Sequence, residues 1–197
     1  MMSQNIEIEF KNMLTEQEFA QLRKHLHIED KDFFTQINYY FDTPTFFLKN
    51  EGCALRIREK NNQFELTLKQ PHPDGLLETN HDLQLEEAKH IIKQGYIDKQ
   101  YLASLKSDLH FPEETYKLFG SLLTSRAEKN NADGLIVLDY SEYLNKVDFE
   151  LEYEVLNREN GLNSFKKLLK EMNIPIRKTE NKVKRLFREV QKRRIDD

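Results

Sequence analysis

The sequence predicts an α+β fold: a closed antiparallel eight-stranded β-barrel with a charged interior and helices packed outside. Three observations favour this class. About eight segments alternate apolar and polar residues with the period of two that is typical of strands. Most connections between them are short, which favours antiparallel pairing. Segments with helical periodicity lie between the strands and can cover their apolar faces, and closure into a barrel leaves no exposed edge.

The composition limits the classes of function. The chain has 197 residues, of which 38% are hydrophobic and 32% are charged, and its formal net charge is −4. This length fits one domain, which we predict to cover residues 1–197. The acidic balance gives no reason to expect binding of nucleic acid through a basic surface, so we expect no stable nucleic-acid partner.

The expected setting is the cytoplasm. Cys53 is the single cysteine, so no internal disulfide can form and a reducing compartment is the default. No run approaches the ~18 apolar residues of a membrane-spanning helix, and the first residues lack the apolar core of a signal peptide. We therefore expect no membrane association, and the oligomeric state stays open.

The first predicted strand covers residues 5–11 and alternates strictly. Its polar face carries Glu7, Glu9 and Lys11. A helix is predicted to follow, because Thr15 is a good N-cap residue with a glutamate three residues later, the spacing of a capping box. An apolar stripe continues along that helix.

Four further strands are predicted before the middle of the chain, bounded by turn signals. They cover residues 33–42, 53–59, 64–69 and 76–82. Their polar faces are sorted by charge: one carries Arg56 and Arg58, the next carries Lys69, and the last carries Glu78.

The middle of the chain changes to helical periodicity. We predict one helix over residues 85–94, ended by Gly95, and a second, shorter helix over 99–109. The role of the segment over residues 85–117 stays open: it could cap one end of the barrel or contact a partner.

The last third returns to strands and ends in helices. The predicted strands start near Leu118 and cover residues 135–143 and 147–155, and helices follow over 162–172 and within the basic tail 178–191. The charged residues singled out on these segments are Arg126, Asp139, Glu150, Glu152, Glu154, Lys182 and Arg185.

The sorting of charge along these strands suggests a charged interior. Like charges on one strand face repel each other unless counter-charges lie opposite. Strands rich in arginine and lysine, or divalent metal ions, would supply those counter-charges. A curved sheet with one solvated face explains the alternation equally well, so the pattern alone leaves both interpretations open.

Several short motifs, in their order along the chain, favour the charged interior over the solvated sheet face. They are Glu7-Ile8-Glu9-Phe10-Lys11 (E-x-E-x-K), Tyr40-Phe41-Asp42-Thr43 (Y-F-D-T), Leu55-Arg56-Ile57-Arg58 (L-R-x-R), Leu66-Thr67-Leu68-Lys69 (L-T-L-K) and Phe149-Glu150-Leu151-Glu152 (F-E-x-E). With Arg126, Asp139, Lys182 and Arg185 in their places, the chain resembles the CYTH family, the triphosphate tunnel metalloenzymes, from residue 5 to about residue 188. Two departures are a strand at residues 76–80 that keeps only Glu78 of R-x-E-x-E, and Asp148 where a small residue is usual.

The resemblance implies a divalent-metal-dependent triphosphatase that acts on inorganic triphosphate or another small triphosphate. It implies Mg²⁺ or Mn²⁺ bound by Glu7, Glu9, Glu78, Glu150 and Glu152, and substrate bound by Lys11, Arg56, Arg58, Lys69, Arg126, Lys182 and Arg185. These residue types suit the task, because carboxylate oxygens bind such cations and arginine forks match phosphate oxygens. The predicted catalytic residues are Glu7, Glu9, Asp139 and Glu152, with Asp139 positioning a water or a second metal ion.

Alternatives remain open for the roles of the site residues and for the activity. Glu7 and Glu9 could pair with arginines as a structural network, Asp139 could pair with Arg126, and Glu78 could form an ion pair. Lys182 and Arg185 could lie on a solvated helix face. The runner-up activity is adenylate cyclase, and a third possibility is a non-catalytic module that binds polyphosphate, nucleotide or triphosphorylated RNA ends. The phosphate-binding loop G-x-x-x-x-G-K-[ST] does not occur in the sequence.

Overall fold

The alternating segments form strands and the capped segments form helices in a computed structural model that describes residues 2–105 and 109–196. The strands are β1 (Met2–Glu7), β2 (Glu9–Leu14), β3 (Phe33–Asp42), β4 (Ala54–Lys60), β5 (Gln63–His72), β6 (Gly75–Leu83), β7 (Tyr96–Ile97), β8 (Tyr116–Asn131), β9 (Gly134–Tyr143) and β10 (Lys146–Val155). The helices are α1 (Glu16–His25), α2 (Phe47–Asn50), α3 (Leu85–Gln94), α4 (Lys99–Ser104), α5 (Arg158–Glu171) and α6 (Lys182–Asp196), with a 3₁₀ turn at Asp30–Asp32.

The α+β class with antiparallel pairing is confirmed, and the number of strands was wrong. The described residues form ten strands instead of eight. The first predicted strand is divided at Ile8 into β1 and β2, and the short β7 pairs with the start of β8. The closed barrel is not shown by these ladders.

The helix boundaries differ modestly from the predicted ones. Helix α4 is shorter than the predicted helix over 99–109, of which residues 106–108 lie outside the described part. Helix α5 begins at Arg158, because the Asn157 side chain accepts a hydrogen bond from the backbone N–H of Asn160 and so caps it there. Helix α6 extends beyond the predicted tail, to Asp196.

The chain divides into two compact units, and each contains strands and helices. The first unit comprises Met1–Ile6, Ile37–Leu122 and Asn181–Asp197, and the second comprises Glu7–Gln36 and Leu123–Glu180. The single domain over residues 1–197 stays a prediction.

The first unit has the strand order β1-β6-β5-β4-β3. Its core contains the inward apolar residues of β4 and β5, such as Ile57 and Leu66, both fully buried. The middle segment contributes to this core through Ala88 and Ile91 of α3 and Leu105 after α4. These residues make the middle segment part of the unit's own core. Burial of one such leucine or isoleucine stabilises the fold by roughly 1.5–3 kcal/mol.

The second unit has the strand order β8-β9-β10-β2. Its core joins Leu138 and Leu151 of the strands to Phe19 and Leu22 of α1 and to residues of α5. Helix α1 starts as predicted, because Thr15 and Glu18 form a reciprocal capping box, a feature that typically stabilises a helix by about 1 kcal/mol.

None of the described helices has the length and apolar character needed to cross a membrane.

Candidate functional site

Three neighbouring strands of the first unit present a polar face. Residues directly opposite each other on paired strands share a face of the sheet. Arg56 lies opposite Thr67, which lies opposite Asn80, and Lys69 lies opposite Glu78. Two of the predicted phosphate-binding residues and Glu78 therefore lie on one surface, and Arg58 joins them two positions along β4.

Glu78 is held by an ion pair with Lys69. Their side-chain Nζ and Oε1 atoms are in contact, and the side chains are only 19% and 12% exposed, respectively. Burial raises the pKa of Glu78, but the positive charges of Lys69, Arg56 and Arg58 outweigh it and bring the pKa down to about 2. The carboxylate is therefore ionised at neutral pH. This contact favours the ion-pair role that the sequence left open.

Arg58 is oriented by a buried amide that sequence reasoning missed. Its Nε atom donates a hydrogen bond to Oδ1 of Asn38 at 3.0 Å. The Asn38 residue is only 2% exposed, on β3. The available signal was a pair of amides two positions apart, Gln36 and Asn38, on one face of a strand rich in aromatic residues.

Helix α6 places the two C-terminal basic residues differently. Arg185 is buried, whereas Lys182 is half-buried at the start of the helix. The buried position of Arg185 disagrees with the alternative of a solvated helix face for this residue.

Helix α6 is attached to its unit by apolar contacts. Leu186 packs over Gly120, where a Cβ atom would lie 3.2 Å from a leucine methyl carbon. Phe187 packs edge-to-face on Phe46, with ring centroids 4.6 Å apart. Phe46 adopts a left-handed backbone (φ 56°), which is rare for a bulky residue and requires support from surrounding contacts.

Asp42 holds the turn that follows β3, at the sequence Asp-Thr-Pro. Its carboxylate oxygens accept hydrogen bonds from the backbone N–H groups of Thr43, Leu48 and Lys49 at 2.8, 2.9 and 3.0 Å, respectively. Burial raises the pKa of this carboxyl despite these bonds. Asp42 therefore shapes the loop that carries Phe46.

The second unit has an acidic polar face. On β10, Glu150 lies opposite Asp139 of β9, Glu152 lies opposite Lys11 of β2, and Glu154 lies opposite Glu9. The predicted metal-binding and catalytic residues of this unit therefore lie on adjacent strands.

Arg126 is tied to these carboxylates. Its Nε and Nη2 atoms donate hydrogen bonds to the two oxygens of Asp139 at 2.8 and 2.7 Å, and Nη2 also donates to Oε2 of Glu152 at 2.8 Å. Burial lowers the pKa of Arg126, but the charges of Asp139 and Glu152 outweigh it and raise the pKa well above its ordinary value. The structure therefore shows the Asp139–Arg126 pair that sequence reasoning held as the alternative.

Lys11 also faces carboxylates. Its Nζ atom lies 2.5 Å from Oε1 of Glu9 and 3.9 Å from Oε1 of Glu152. A lysine in this position reduces the repulsion between the two glutamates.

Four carboxylates crowd together at one end of this face. Burial raises the pKa of Glu154 to about 7, and the negative charges of Glu7, Glu152 and Glu9 contribute to that rise against Arg126. Oxygen ligands that repel each other are suited to a divalent cation, which would offset their charge. Within residues 2–105 and 109–196, no three acidic, histidine or cysteine residues form a ready metal-binding cluster.

Asn12 is a second residue that sequence reasoning missed. It is 0% exposed, its Nδ2 donates to the carbonyl of Pro175, and its Oδ1 accepts from the backbone N–H of Arg177. Arg177 donates in turn to both carboxylate oxygens of Glu18. The signal was an amide on the apolar side of β2, next to Lys11.

Comparisons with known proteins identify the family. The model of the CYTH domain family matches residues 5–187. The chain belongs to the CYTH domain family. The resemblance seen in the motifs is thereby confirmed, over nearly the whole chain.

Individual CYTH relatives carry two kinds of description. A protein of Bacillus subtilis (strain 168) named "Putative triphosphatase YjbK" is 47% identical over 195 residues, which cover 97% of this chain and 99% of that protein. A crystal structure from Bacillus halodurans described as "a putative adenylate cyclase" has 42% identity and a TM-score of 0.86, covering 93% of this chain and 98% of that one.

A more distant structure supports the fold alone. A protein of Hippeastrum, described as a "putative adenylyl cyclase" with "a dominant" triphosphatase activity, has a TM-score of 0.66 and 18% identity. The match covers 92% of this chain and 95% of that one.

Proposed function

We propose that this CYTH protein is a divalent-metal-dependent triphosphatase that hydrolyses inorganic triphosphate or another small triphosphate. The observation that carries the proposal is the crowding of carboxylates in a chain of this family: Glu154 lies directly opposite Glu9, Glu152 is two positions along the same strand, and the charge of Glu7 also acts on Glu154. Such crowding is costly unless cations offset it, and a metal-bound polyphosphate is a ligand that brings them.

We assign the roles by charge. The proposed metal ligands are Glu7, Glu9, Glu150 and Glu152, and the proposed phosphate-binding residues are Lys11, Arg56, Arg58, Lys69, Lys182 and Arg185. Arg126 and Asp139 are assigned to substrate binding and catalysis on sequence grounds, and their mutual contact favours a positioning role. The closed tunnel, the choice between Mg²⁺ and Mn²⁺ and the cytoplasmic location stay predictions.

The proposed reaction is in-line phosphoryl transfer to water. A bound divalent cation would neutralise charge on the triphosphate and polarise its terminal phosphoryl group. Water forms a new P–O bond at the terminal phosphorus while the bond to the bridging oxygen breaks, giving phosphate and diphosphate. Arginine and lysine side chains would stabilise the charge on the transferring group and on the leaving diphosphate.

Adenylate cyclase is the second candidate, favoured by the description of the relative from Bacillus halodurans, which is 42% identical. Cyclisation would use the ribose 3′-hydroxyl of ATP as the nucleophile and would release cyclic AMP and diphosphate. We rank it lower because the relative with 47% identity is named a triphosphatase.

A panel of substrates tests the proposal. The protein is incubated with Mg²⁺ or Mn²⁺ and with inorganic triphosphate, thiamine triphosphate or ATP, and phosphate, diphosphate and cyclic AMP are measured. We expect phosphate release from a triphosphate, lost in Glu9→Gln and in EDTA and kept in Glu86→Gln, an exposed residue of α3.

Other outcomes separate the alternatives. Cyclic AMP and diphosphate from ATP would replace the triphosphatase with the cyclase. Tight binding of triphosphate without turnover would indicate the non-catalytic module, and neither binding nor turnover would overturn the assigned site.

A further inference from the structure

The ion pair of Lys69 and Glu78 lies within the polar face of the first unit. The residues are direct neighbours across β5 and β6, and their side chains touch. They are 19% and 12% exposed, so the pair is much drier than an ordinary surface salt bridge. Removing two charges from water is costly, and close mutual contact is what offsets that cost.

The charges around this pair are unequal. The positive charges of Arg56 and Arg58 act on Glu78 in addition to that of Lys69. The row of Arg58 contains Glu65 and Asp82, which lie opposite on successive strands.

The row of Arg56 contains the neutral residues Thr67 and Asn80. The acidic residue nearest to Lys69 and Arg56 by register is therefore Glu78, while Arg58 has acidic residues in its own row.

A phosphate group and a carboxylate make similar demands on such a face. Both present anionic oxygens that accept hydrogen bonds from ammonium and guanidinium groups. An anion that binds beside Lys69 competes with Glu78 for the same donors. An anion with few contacts would lose this competition more readily than a triphosphate with several.

We propose that Glu78 is a built-in counter-anion of this face: it positions Lys69, is displaced from Lys69 by a phosphate group, and discriminates against short phosphates. The inference rests on the proposed triphosphatase function and deepens it. It makes Glu78 a positioning and specificity-determining residue instead of a metal ligand. In the catalytic cycle, return of Glu78 to Lys69 promotes release of the diphosphate product.

The effect of removing the charge has a defined direction. Glu78→Gln keeps the size of the side chain and removes the competitor. We expect the affinity for inorganic diphosphate, measured without metal, to rise about tenfold, which corresponds to about 1.4 kcal/mol. With metal present, KM for triphosphate and kcat should fall together, since product leaves more slowly. Glu78→Asp, which keeps the charge, should restore most of the discrimination.

Calorimetric titration of the full-length protein with inorganic diphosphate in EDTA tests the proposal. Glu86→Gln serves as the matched control, because it removes the same charge from an exposed position. Glu78→Thr is a second neutral variant that suits a strand, should Glu78→Gln fail to fold. Titration with Mn²⁺ alone is run on the same variants.

The outcomes are distinct. Tighter diphosphate binding in the neutral variants, with Mn²⁺ affinity unchanged, is the expected result. Unchanged or weaker diphosphate binding would overturn the proposal, and so would a loss of Mn²⁺ affinity, which would indicate a metal ligand. If the wild type turns over triphosphate and Glu78→Gln binds diphosphate with the affinity of the wild type, only this inference fails. A wild type that neither binds nor hydrolyses triphosphate would overturn both proposals.

Discussion

Arg126 and Asp139 form a two-pronged ion pair, in which Nε and Nη2 each donate to a different carboxylate oxygen at 2.8 and 2.7 Å. Both residues are buried, on the adjacent strands β8 and β9. Because Arg126 also binds Glu152, Asp139 can act on the acidic face through the arginine without touching substrate. This relationship motivates the first prediction.

We predict that Asp139→Asn lowers the free energy of unfolding by about 1.5–3 kcal/mol, because it removes the carboxylate that binds both Nε and Nη2 of Arg126 while Glu152 still pairs with the arginine. A double-mutant cycle with Arg126→Gln, followed by urea unfolding, measures the coupling between the two residues. If Asp139 acts only through Arg126, Asp139→Asn should reduce kcat much less in the Arg126→Gln background than in the wild type. An equal reduction of kcat in both backgrounds would indicate that Asp139 acts directly, for example by positioning water.

The crowded carboxylate Glu154 predicts a pH-dependent stability in the absence of metal. Its pKa is raised from 4.5 to about 7, so the folded state binds this proton more tightly than the unfolded state. The resulting stabilisation is complete below pH ~4.5 and is lost as pH rises through about 7. In EDTA, Glu154→Gln should therefore be more stable relative to the wild type at pH 8 than at pH 5.

Urea midpoints at the two pH values measure this effect. The exposed residue Glu86 supplies the control variant Glu86→Gln, whose difference from the wild type should not change with pH. Addition of Mn²⁺ at pH 8 should narrow the gap between wild type and Glu154→Gln. A gap that is the same at both pH values would contradict the crowding of Glu154.

Asn38 is predicted to position Arg58 for substrate. The hydrogen bond from Arg58 Nε is 3.0 Å long, and bonds to charged groups contribute about 1.5–3 kcal/mol. Asn38→Ala should raise KM for triphosphate roughly tenfold or more, with a smaller change in kcat. Steady-state kinetics of Asn38→Ala, Arg58→Lys and the double variant separate the roles: additive effects would show that Asn38 acts independently of Arg58.

Gly120 is predicted to set the position of helix α6. A Cβ atom there would lie 3.2 Å from Leu186, so Gly120→Val adds methyl groups where the leucine already packs. Overpacking of this kind costs about 1–3 kcal/mol, and we expect it to shift Arg185 and raise KM several-fold. Leu186→Ala in the same chain should recover part of the loss by making room. A Gly120→Val variant with wild-type KM would show that α6 does not contribute to substrate binding.

The polar residues of the strands could be identified from the sequence because alternation has a period of two. Arg56, Lys69 and Glu78 fall on one face of the first unit, as the pattern requires. The division of the first strand at Ile8 was missed, because residues on both sides of it continue the same alternation. The short β7 was missed for a different reason, since two residues are too few for a period to appear.

The partners of charged residues could not be predicted in the same way. Lys11 contacts Glu9 two positions away, a relation that same-face spacing allows. Asn38 and Arg58 are 20 positions apart, and only the pairing of their strands brings them together. Asn12 and Arg177 are farther apart still, and their hydrogen bond depends on how the segment after α5 returns to β2.

The sequence by itself determined the antiparallel α+β class, the CYTH family and the positions of the charged residues, because period-two alternation and motif order are local properties of the chain. The tertiary structure decided which charges neutralise each other: Lys69 holds Glu78, and Arg126 holds Asp139. Those choices depend on strand register and on burial, which set the distance between charges and the cost of leaving one unpaired.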